Sequence, residues 1–468
     1  MFDLTRFLTQ HSEIESSTED RDILAHSYDA WPISVKWKQQ GKQPCKPDAV
    51  FWPKSTDEVR SLVRVAASEG IPITPWGLGS AVTGACLADK GGIMIDLSKL
   101  TKVTRFDEEN LIVTVQAGKR GIELEHELNT RGLTLNHHPQ SLDRSTVGGW
   151  VATRATGQLS SRYGGIEDLI VALEVVLPSG EVIQTKKTPR AAIGVDVKSL
   201  FIGSEGTLGI VTEVSLKVFR LPEIRIEEAI TFASIQDGVD VMRNLMQAQL
   251  RPSLVRFYDI DEARHAMQDK TFSSCVMFLQ FEGNCPAVAQ AEFEAAKGIC
   301  AEHNGELIGP DPVRAWLGRR YDFSSVESIL AENGGVAETI EISDFWSSIV
   351  GTYAELKDAL KPFADEVLGH FSHVYGHGTS LYLILIGKAK NAEAAEARLM
   401  EIWKTAMEIC LERGAAISHH HGVGLARLPF IKQEMASTES ILNTLKSAID
   451  PKGVLCPGKL GLAIPDRN

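Results

Sequence analysis

A chain of 468 residues exceeds what one compact core can serve, and at ~150 residues per domain it divides into two or three. Hydrophobic residues make up 43% and charged residues 23%, a balance that excludes an intrinsically disordered chain. Against 61 acidic residues stand 48 basic ones, a net charge of −13 that argues against a general nucleic-acid binder and still allows a local basic pocket. The longest apolar runs, such as Leu381 to Ile386, fall far short of the ~20 residues that cross a bilayer. The opening MFDLTRFLTQHSEIESSTEDRD has no apolar h-region, so secretion is not expected and a cytoplasmic location is. Seven scattered cysteines without a C-x-x-C pair read as reduced thiols, neither a disulfide frame nor a zinc site.

There are no tandem repeats or low-complexity tracts. Residues 1–45 are polar and partly helical in pattern, a segment expected to wrap the body. From Pro47 the pattern is regular: a short strand, a helix, then a strand that runs into a glycine loop. Ser55 or Thr56 is the predicted helix N-cap, and Val59, Leu62, Val63 and Ala66 fall on one apolar face. Strands are predicted at 93–97 and 111–116, then a helix over about 121–130 that ends at Gly132. Further strands at 169–177, 181–185 and 209–218 follow, with a turn at Pro178-Ser179-Gly180.

After Leu221-Pro222 the character changes. Residues 223–415 alternate strands (227–232, 275–281, 380–387) with amphipathic helices (236–249, 286–303, 392–412), the pattern of a separate antiparallel α+β unit. The C-terminal residues 416–468 read as a helix and a tail returning to the first unit, which spans 46–222.

Three segments of the first unit combine small residues with hydroxyl donors. Pro75-Trp76-Gly77-Leu78-Gly79-Ser80-Ala81 sits between a strand and a turn, where two glycines and a serine let consecutive amides point into one anion-binding concavity. It is not a Rossmann fingerprint, because Val82 stands where the third glycine is required, and there is no Walker lysine. The second segment runs from His138 to Gly180 and the third from Gly203 to Glu213. Together they suit close backbone approach to a large, flat ligand with polar edges.

These segments resemble the flavin-binding domain of the vanillyl-alcohol oxidase superfamily, the PCMH-type FAD domain, and within it most closely the alkyldihydroxyacetonephosphate synthases. The resemblance covers roughly residues 45 to 460. It implies a two-subdomain FAD-binding domain and an antiparallel α+β cap that carries the substrate. It also implies that the loop Pro75 to Ala81 holds the FAD pyrophosphate. Gln140, Ser141, Leu142, Asp143, Ser145 and Thr146, with Gly149, Thr153, Ala155 and Thr156, are implied to lie along the flavin. Glu205, Gly206, Thr207, Gly209, Ile210 and Val211 are implied to contact the adenosine and ribityl portions. The family's ending resembles "AIDPKGVLCPGKL", with Cys456 where asparagine is usual. Some members attach the flavin through a histidine in the first loop; none stands there in this chain, so non-covalent FAD is expected.

The run His419-His420-His421-Gly422-Val423-Gly424 is the most conspicuous polar cluster. Adjacent histidines on a strand would point to opposite faces, so at most His419 and His421 are expected to converge, and no metal is expected there. A solvated loop could carry the same run. The resemblance instead places it on the flavin face, with its histidines needed for catalysis, Tyr382 as acid/base, and Arg256 beside the flavin. A tyrosine titrates near ~10, so acting as a base at neutral pH requires a stabilised phenolate, which neighbouring histidines could provide. The related D-lactate and D-2-hydroxyglutarate dehydrogenases carry two histidines and Glu-His-Gly around a divalent metal. Here Tyr382 replaces the second histidine and His420 the glutamate, which disfavours metal-assisted oxidation. Where the synthases carry a substrate-contacting arginine, an ungapped reading places Glu327, with Glu338 as the downstream acidic position and Arg319 or Arg320 as substitutes. The end "PDRN" has no peroxisomal address.

Two activities follow as expectations. One is FAD-dependent oxidation of a small polar alcohol, phosphorylated or a hydroxy acid, with hydride passing to flavin N5 while Tyr382 or a histidine removes the hydroxyl proton and Arg256 steadies negative charge. The other is synthase-type alkyl transfer through a flavin adduct with no net redox change, which needs an apolar tunnel and peripheral contact with a membrane. A non-enzymatic flavin module would leave the polar set without a purpose. The expected partners are a small-molecule substrate and, by the resemblance, a second copy in a homodimer.

Overall fold

The computed structural model describes residues 2–464, so the terminal PDRN lies outside the described residues. Three short helices, Leu4–Gln10, Asp20–Ala25 and Pro32–Gln39, open the chain. They do wrap the body: Ala30 N donates to Gly79 O at 3.0 Å, and Lys36 Nζ reaches Leu330 O and Glu332 O at 2.9 Å.

The strands Ala49–Phe51, Ile93–Asp96 and Ile73–Trp76 lie parallel, with the two residues Ser16–Ser17 antiparallel at the edge. Parallel neighbours need a crossover, supplied by the helix Thr56–Glu69. Ser55 caps it by accepting from Glu58 N at 3.2 Å, Gly70 ends it at φ 70°, and the four predicted apolar residues are all fully buried. A second, antiparallel sheet of five strands follows in the order Val103–Asp107, Ile112–Gln116, Ile210–Lys217, Ile170–Val176, Val182–Gln184. Each strand predicted in this region is present within two residues of its expected ends.

The largest sheet has seven antiparallel strands, ordered Glu306–Gly309, Ile224–Phe232, Cys275–Gly283, Leu254–Tyr258, Glu366–Val374, Gly378–Lys388, Gly335–Phe345. Three of these strands and the helices Ile235–Gln247, Pro286–Glu302 and Ala392–Arg413 match the sequence pattern. The strands Leu254–Tyr258, Glu306–Gly309, Gly335–Phe345 and Glu366–Val374 were not anticipated, and all but Glu306–Gly309 carry residues of the site described below. The helices Ile235–Gln247, Pro286–Glu302, Ile349–Leu360 and Ala392–Arg413 contribute to one apolar core with this sheet, including Met242, Phe257, Phe371, Leu399 and Trp403.

After the helix Glu439–Ile449 the tail joins the first sheet: Ile73 N donates to Val454 O at 2.8 Å and Cys456 N to Ile73 O at 2.9 Å. Two buried lysines pin it, Lys446 to Thr207 O at 2.8 Å and Lys459 to Gly84 O and Ala85 O at 2.8 and 2.9 Å. All seven cysteines are free thiols, and no described helix is long and apolar enough to cross a membrane.

Candidate active site

One deep cleft runs from the first two sheets to the face of the large one, and the glycine loop forms its floor. Pro75 to Ala81 all line it, continued by Val82, Ala85 and Cys86. Among the described residues no protein acceptor meets the amides of Leu78 through Val82, so five consecutive donors remain for a ligand. Gly79 sits at φ 67°, and a Cβ there would come within 2.4 Å of the Trp76 ring. Gly206 likewise packs its Cα where a Cβ would be 2.6 Å from Pro75. The backbone is thus brought close on both sides, a cradle for an extended anion such as a pyrophosphate.

Of the other residues implied to hold the cofactor, Gln140, Ser141, Ser145, Thr146, Gly149, Thr153, Ala155, Thr156, Glu205, Gly209, Ile210 and Val211 line the same cleft. Leu142, Asp143 and Thr207 do not. Leu142 is core, Asp143 pairs with Arg144 at 3.3 Å, and Thr207 turns its hydroxyl to Ser204 O at 2.7 Å. Glu205 lines the cleft and has a second task as well. Its carboxylate accepts from Val423 N at 2.5 Å and Gly424 N at 3.1 Å, so it grips the loop after the histidines.

The far wall is built by strand register. Tyr258 stands beside His370, His370 beside Tyr382 and Tyr382 beside Glu341, on four consecutive strands. Two residues along, Arg256 stands beside Ser372 and Ser372 beside Ser380. Alternate residues share a face, so these rows present one polar surface to the cleft. Arg256, His370, Ser372 and Tyr382 line it, with His373, His420 and His421. The His370 and Tyr382 rings stack at 4.9 Å and 17°. Arg256 donates from Nε to Tyr258 Oη at 2.7 Å and lies over the Trp316 ring. Among the described residues it is the one Lys or Arg on the wall.

The histidine run is a bend, not a strand, and this corrects the expectation that neighbouring rings diverge. His419 Nδ1 and His420 Nδ1 face each other at 2.8 Å, while Tyr375 Oη meets His419 Nε2 at 2.7 Å. His419 therefore stands behind the wall, packed on His373, rather than on it. The bend is held by Glu341, whose buried carboxylate accepts from the amides of His419, His420 and His421 at 2.5, 3.1 and 3.1 Å, and from Arg427 at 2.8 Å. Burial alone would raise this carboxyl; Arg427, the histidines and the main-chain donors outweigh it and hold it below the usual range. Ligand atoms of Glu341, His419 and His420 lie within 4.8 Å of one another, but a cation there would compete with Arg427 and three amides for the carboxylate.

Burial also decides the protonation of the wall. It pushes the imidazoles of His419 and His421 down to about 4, and those of His370, His373 and His420 well below their ordinary value. Neutral histidines bring no positive charge to a phenolate, and burial moves Tyr382 upward. Both shifts oppose the expected tyrosinate and favour Tyr382 as a proton donor, with the imidazoles as acceptors. Glu327 is exposed and pairs with Arg144 at 2.5 Å, and neither Arg319 nor Arg320 reaches the wall. Glu338 is buried and accepts from Trp403 Nε1 at 2.8 Å.

His370 and His373 were missed, although "GHFSHV" does place polar residues in an otherwise apolar run, the signal that could have found them. Glu262, 2.8 Å from His370 Nδ1, was missed too.

Residues 47–186 match the FAD binding domain model, and residues 221–460 match that of the FAD linked oxidases, C-terminal domain. This chain belongs to the FAD-linked oxidases. The alkyldihydroxyacetonephosphate synthase of Dictyostelium discoideum is 28% identical over 90% of this chain and 74% of its own. An FAD-linked oxidoreductase of Escherichia coli O157:H7, YgcU, is 30% identical over 88% of this chain and 89% of its own. The glycolate oxidase subunit GlcD of Bacillus subtilis is 27% identical over 93% of this chain and 92% of its own. A solved alkyldihydroxyacetonephosphate synthase superposes with a TM-score of 0.83 at 24% identity, covering 98% of this chain and 85% of that one, a likeness of fold. The fold is thus a PCMH-type FAD-binding domain with an antiparallel α+β cap, the cofactor is FAD, and the protein is an enzyme.

Proposed function

We propose that this enzyme oxidises a small alcohol bearing a negative charge, either a hydroxy acid or a phosphorylated alcohol. The observation that supports it is the composition of the reactive wall: one guanidinium, one phenol and four imidazoles, with serine between them. FAD, when bound, supplies the two-electron acceptor for a hydride from the carbinol carbon. The free amides of Leu78 to Val82 would hold its pyrophosphate, and with no histidine in Pro75 to Ala81 the cofactor is held without a covalent bond. Arg256 orients the anionic group of the substrate, Tyr382 donates a hydrogen bond to its oxygen, and a neutral imidazole accepts the hydroxyl proton. The similarity to a glycolate oxidase subunit, an oxidase by name, favours this reading.

The similarity to alkyldihydroxyacetonephosphate synthases supports the second reading, alkyl transfer without net oxidation. The row of polar side chains on the large sheet favours a small charged substrate over a fatty chain, although the rest of the cleft lining is largely apolar. Anaerobic mixing with hydroxy acids and phosphorylated alcohols should give lasting loss of flavin absorbance. Tyr382→Phe and Arg256→Met should retain FAD yet slow that loss at least 100-fold, consistent with ~10²–10⁴ for one acid–base group. Wild-type rates in both variants would refute the assignment, and fatty acid release from acyl dihydroxyacetone phosphate would favour the alternative.

A further inference from the structure

The wall holds several neutral imidazoles, and their second nitrogens distinguish them. His420 turns Nδ1 to His419, His373 turns Nδ1 to Ser160 Oγ at 2.8 Å, and Nδ1 of His421 is buried without a partner. His370 alone among the wall histidines has a carboxylate within hydrogen-bond distance: Nδ1 lies 2.8 Å from both oxygens of Glu262, whereas Glu341 stands 3.7 and 3.6 Å from Nδ1 of His420 and His421. Glu262 is presented by the helix Ile260–Met267, whose N-cap Asp259 accepts from Glu262 N at 2.8 Å. The pair is buried, at 2% and 6% exposure, while the ring still forms part of the cleft wall. Among the described residues every hydrogen-bond contact of the ring is at Nδ1 and none at Nε2: Arg256 Nη2 also approaches Nδ1, at 3.3 Å, and the shorter contact to the Glu262 carboxylate assigns the Nδ1 proton. Stacking on Tyr382 fixes the ring plane beside the phenol that meets the substrate oxygen.

We propose that Glu262 and His370 act as a carboxylate–imidazole pair in which His370 Nε2 takes the hydroxyl proton of the substrate, a role that rests on the alcohol-oxidation reading above. The substrate O–H bond breaks, its electron pair stays on the oxygen, and the proton forms an N–H bond at Nε2. Glu262 keeps the Nδ1–H and balances the imidazolium charge that results. Glu262 fixes the tautomer, since a ring that donates from Nδ1 has its lone pair on Nε2. Arg256, 3.9 Å from Glu262, ties the anion-binding residue to the same pair.

The pair carries its own pH dependence. Burial raises the Glu262 carboxyl to about 7, with Arg256, His265 and Lys357 pulling the other way. The other titratable or charged groups facing the pair are Tyr258, Asp259, Tyr382, His373 and His420, with Asp259 held by Tyr353 and Lys357. Below that pH a protonated Glu262 donates to Nδ1, which moves the ring proton to Nε2 and blocks it as acceptor. Above it the carboxylate accepts from Nδ1 and Nε2 is free. Flavin reduction should therefore rise with pH through about 7.

The test uses the FAD-loaded enzyme and an alcohol that reduces it. His370→Asn should slow reduction ~100-fold or more, and Glu262→Gln should slow it and flatten the pH profile. Independently of turnover, ¹⁵N NMR of the imidazoles, with the His370 signals identified by their loss in His370→Asn, should show Nδ1 protonated at high pH. That tautomer should reverse on acidification, and neither change with pH should survive in Glu262→Gln. Reduction of His370→Asn at the unaltered rate, or Nε2 protonated at high pH, would overturn the pair while leaving the oxidation reading standing. Failure of every alcohol to reduce the unaltered enzyme would sink that reading and the pair with it. If His370→Asn loses its FAD, Glu262→Gln and the tautomer measurement decide.

Discussion

Glu341→Gln is the most informative single perturbation outside the reacting groups. Glu341 and Arg427 are both fully buried, and the carboxylate gathers Arg427 at 2.8 Å, Ser418 Oγ at 3.0 Å and three consecutive histidine amides. The amide side chain keeps the shape and one accepting oxygen but removes the charge opposite Arg427. Breaking a buried pair by altering one member costs ~3–5 kcal/mol, and the retained acceptor argues for the lower end, about 3 kcal/mol. At ~1.36 kcal/mol per decade this is roughly a 100-fold shift toward an opened bend. Hydrogen exchange of peptides spanning residues 417–424 should report it as faster exchange by that order, with FAD still bound. The pH sign follows from the lowered carboxyl: its stabilisation is full above the unfolded carboxylate pKa of ~4.3 and fades as pH falls below it. The unaltered bend should thus lose protection on acidification, and the variant should not. Equal protection of the two proteins at neutral pH would refute the idea that Glu341 holds the histidines in place.

Gly79→Ala should purify with little flavin, because its φ of 67° and the 2.4 Å approach to Trp76 leave no room for a Cβ; the absorbance ratio of flavin to protein measures it. Glu338→Gln should flatten the dependence of Tm on pH. Burial raises that carboxyl to about 8, so the stability present below the unfolded value of ~4.3 is lost as pH rises toward about 8, and above that the variant should melt higher. Glu327→Ala should change stability by less than ~1 kcal/mol and leave substrate affinity intact, since its pair with Arg144 is exposed and off the cleft wall; a weaker KM would return Glu327 to the site.

The elements nearest the cofactor were legible because their signals are local. A serine cap followed by an apolar 3.6-residue period makes Thr56–Glu69 a helix in any context, and small residues at 75–81 leave amides free whatever packs above them. The large sheet was read only in part. Leu254–Tyr258 and Glu366–Val374 carry charged or imidazole side chains inside apolar runs, which hides a strand whose polar face is buried against a ligand cleft. The surroundings of Glu327 were illegible for a related reason: its helix, Ser324–Ala331, turns it outward to Arg144, which no spacing argument could have specified.

The sequence by itself determined that the chain is a mixed α/β protein with an amide-lined loop for an anionic cofactor and a polar set for chemistry. Such features depend on the conformational preferences of neighbouring residues. Tertiary structure alone decided which polar groups meet. Glu262, Glu341, His370, Tyr382 and His420 come from separate elements up to 158 positions apart, and pair only through strand register and one bend. It also decided their charge, because desolvation is set by everything packed around a group, and here it keeps the histidines neutral and the tyrosine protonated.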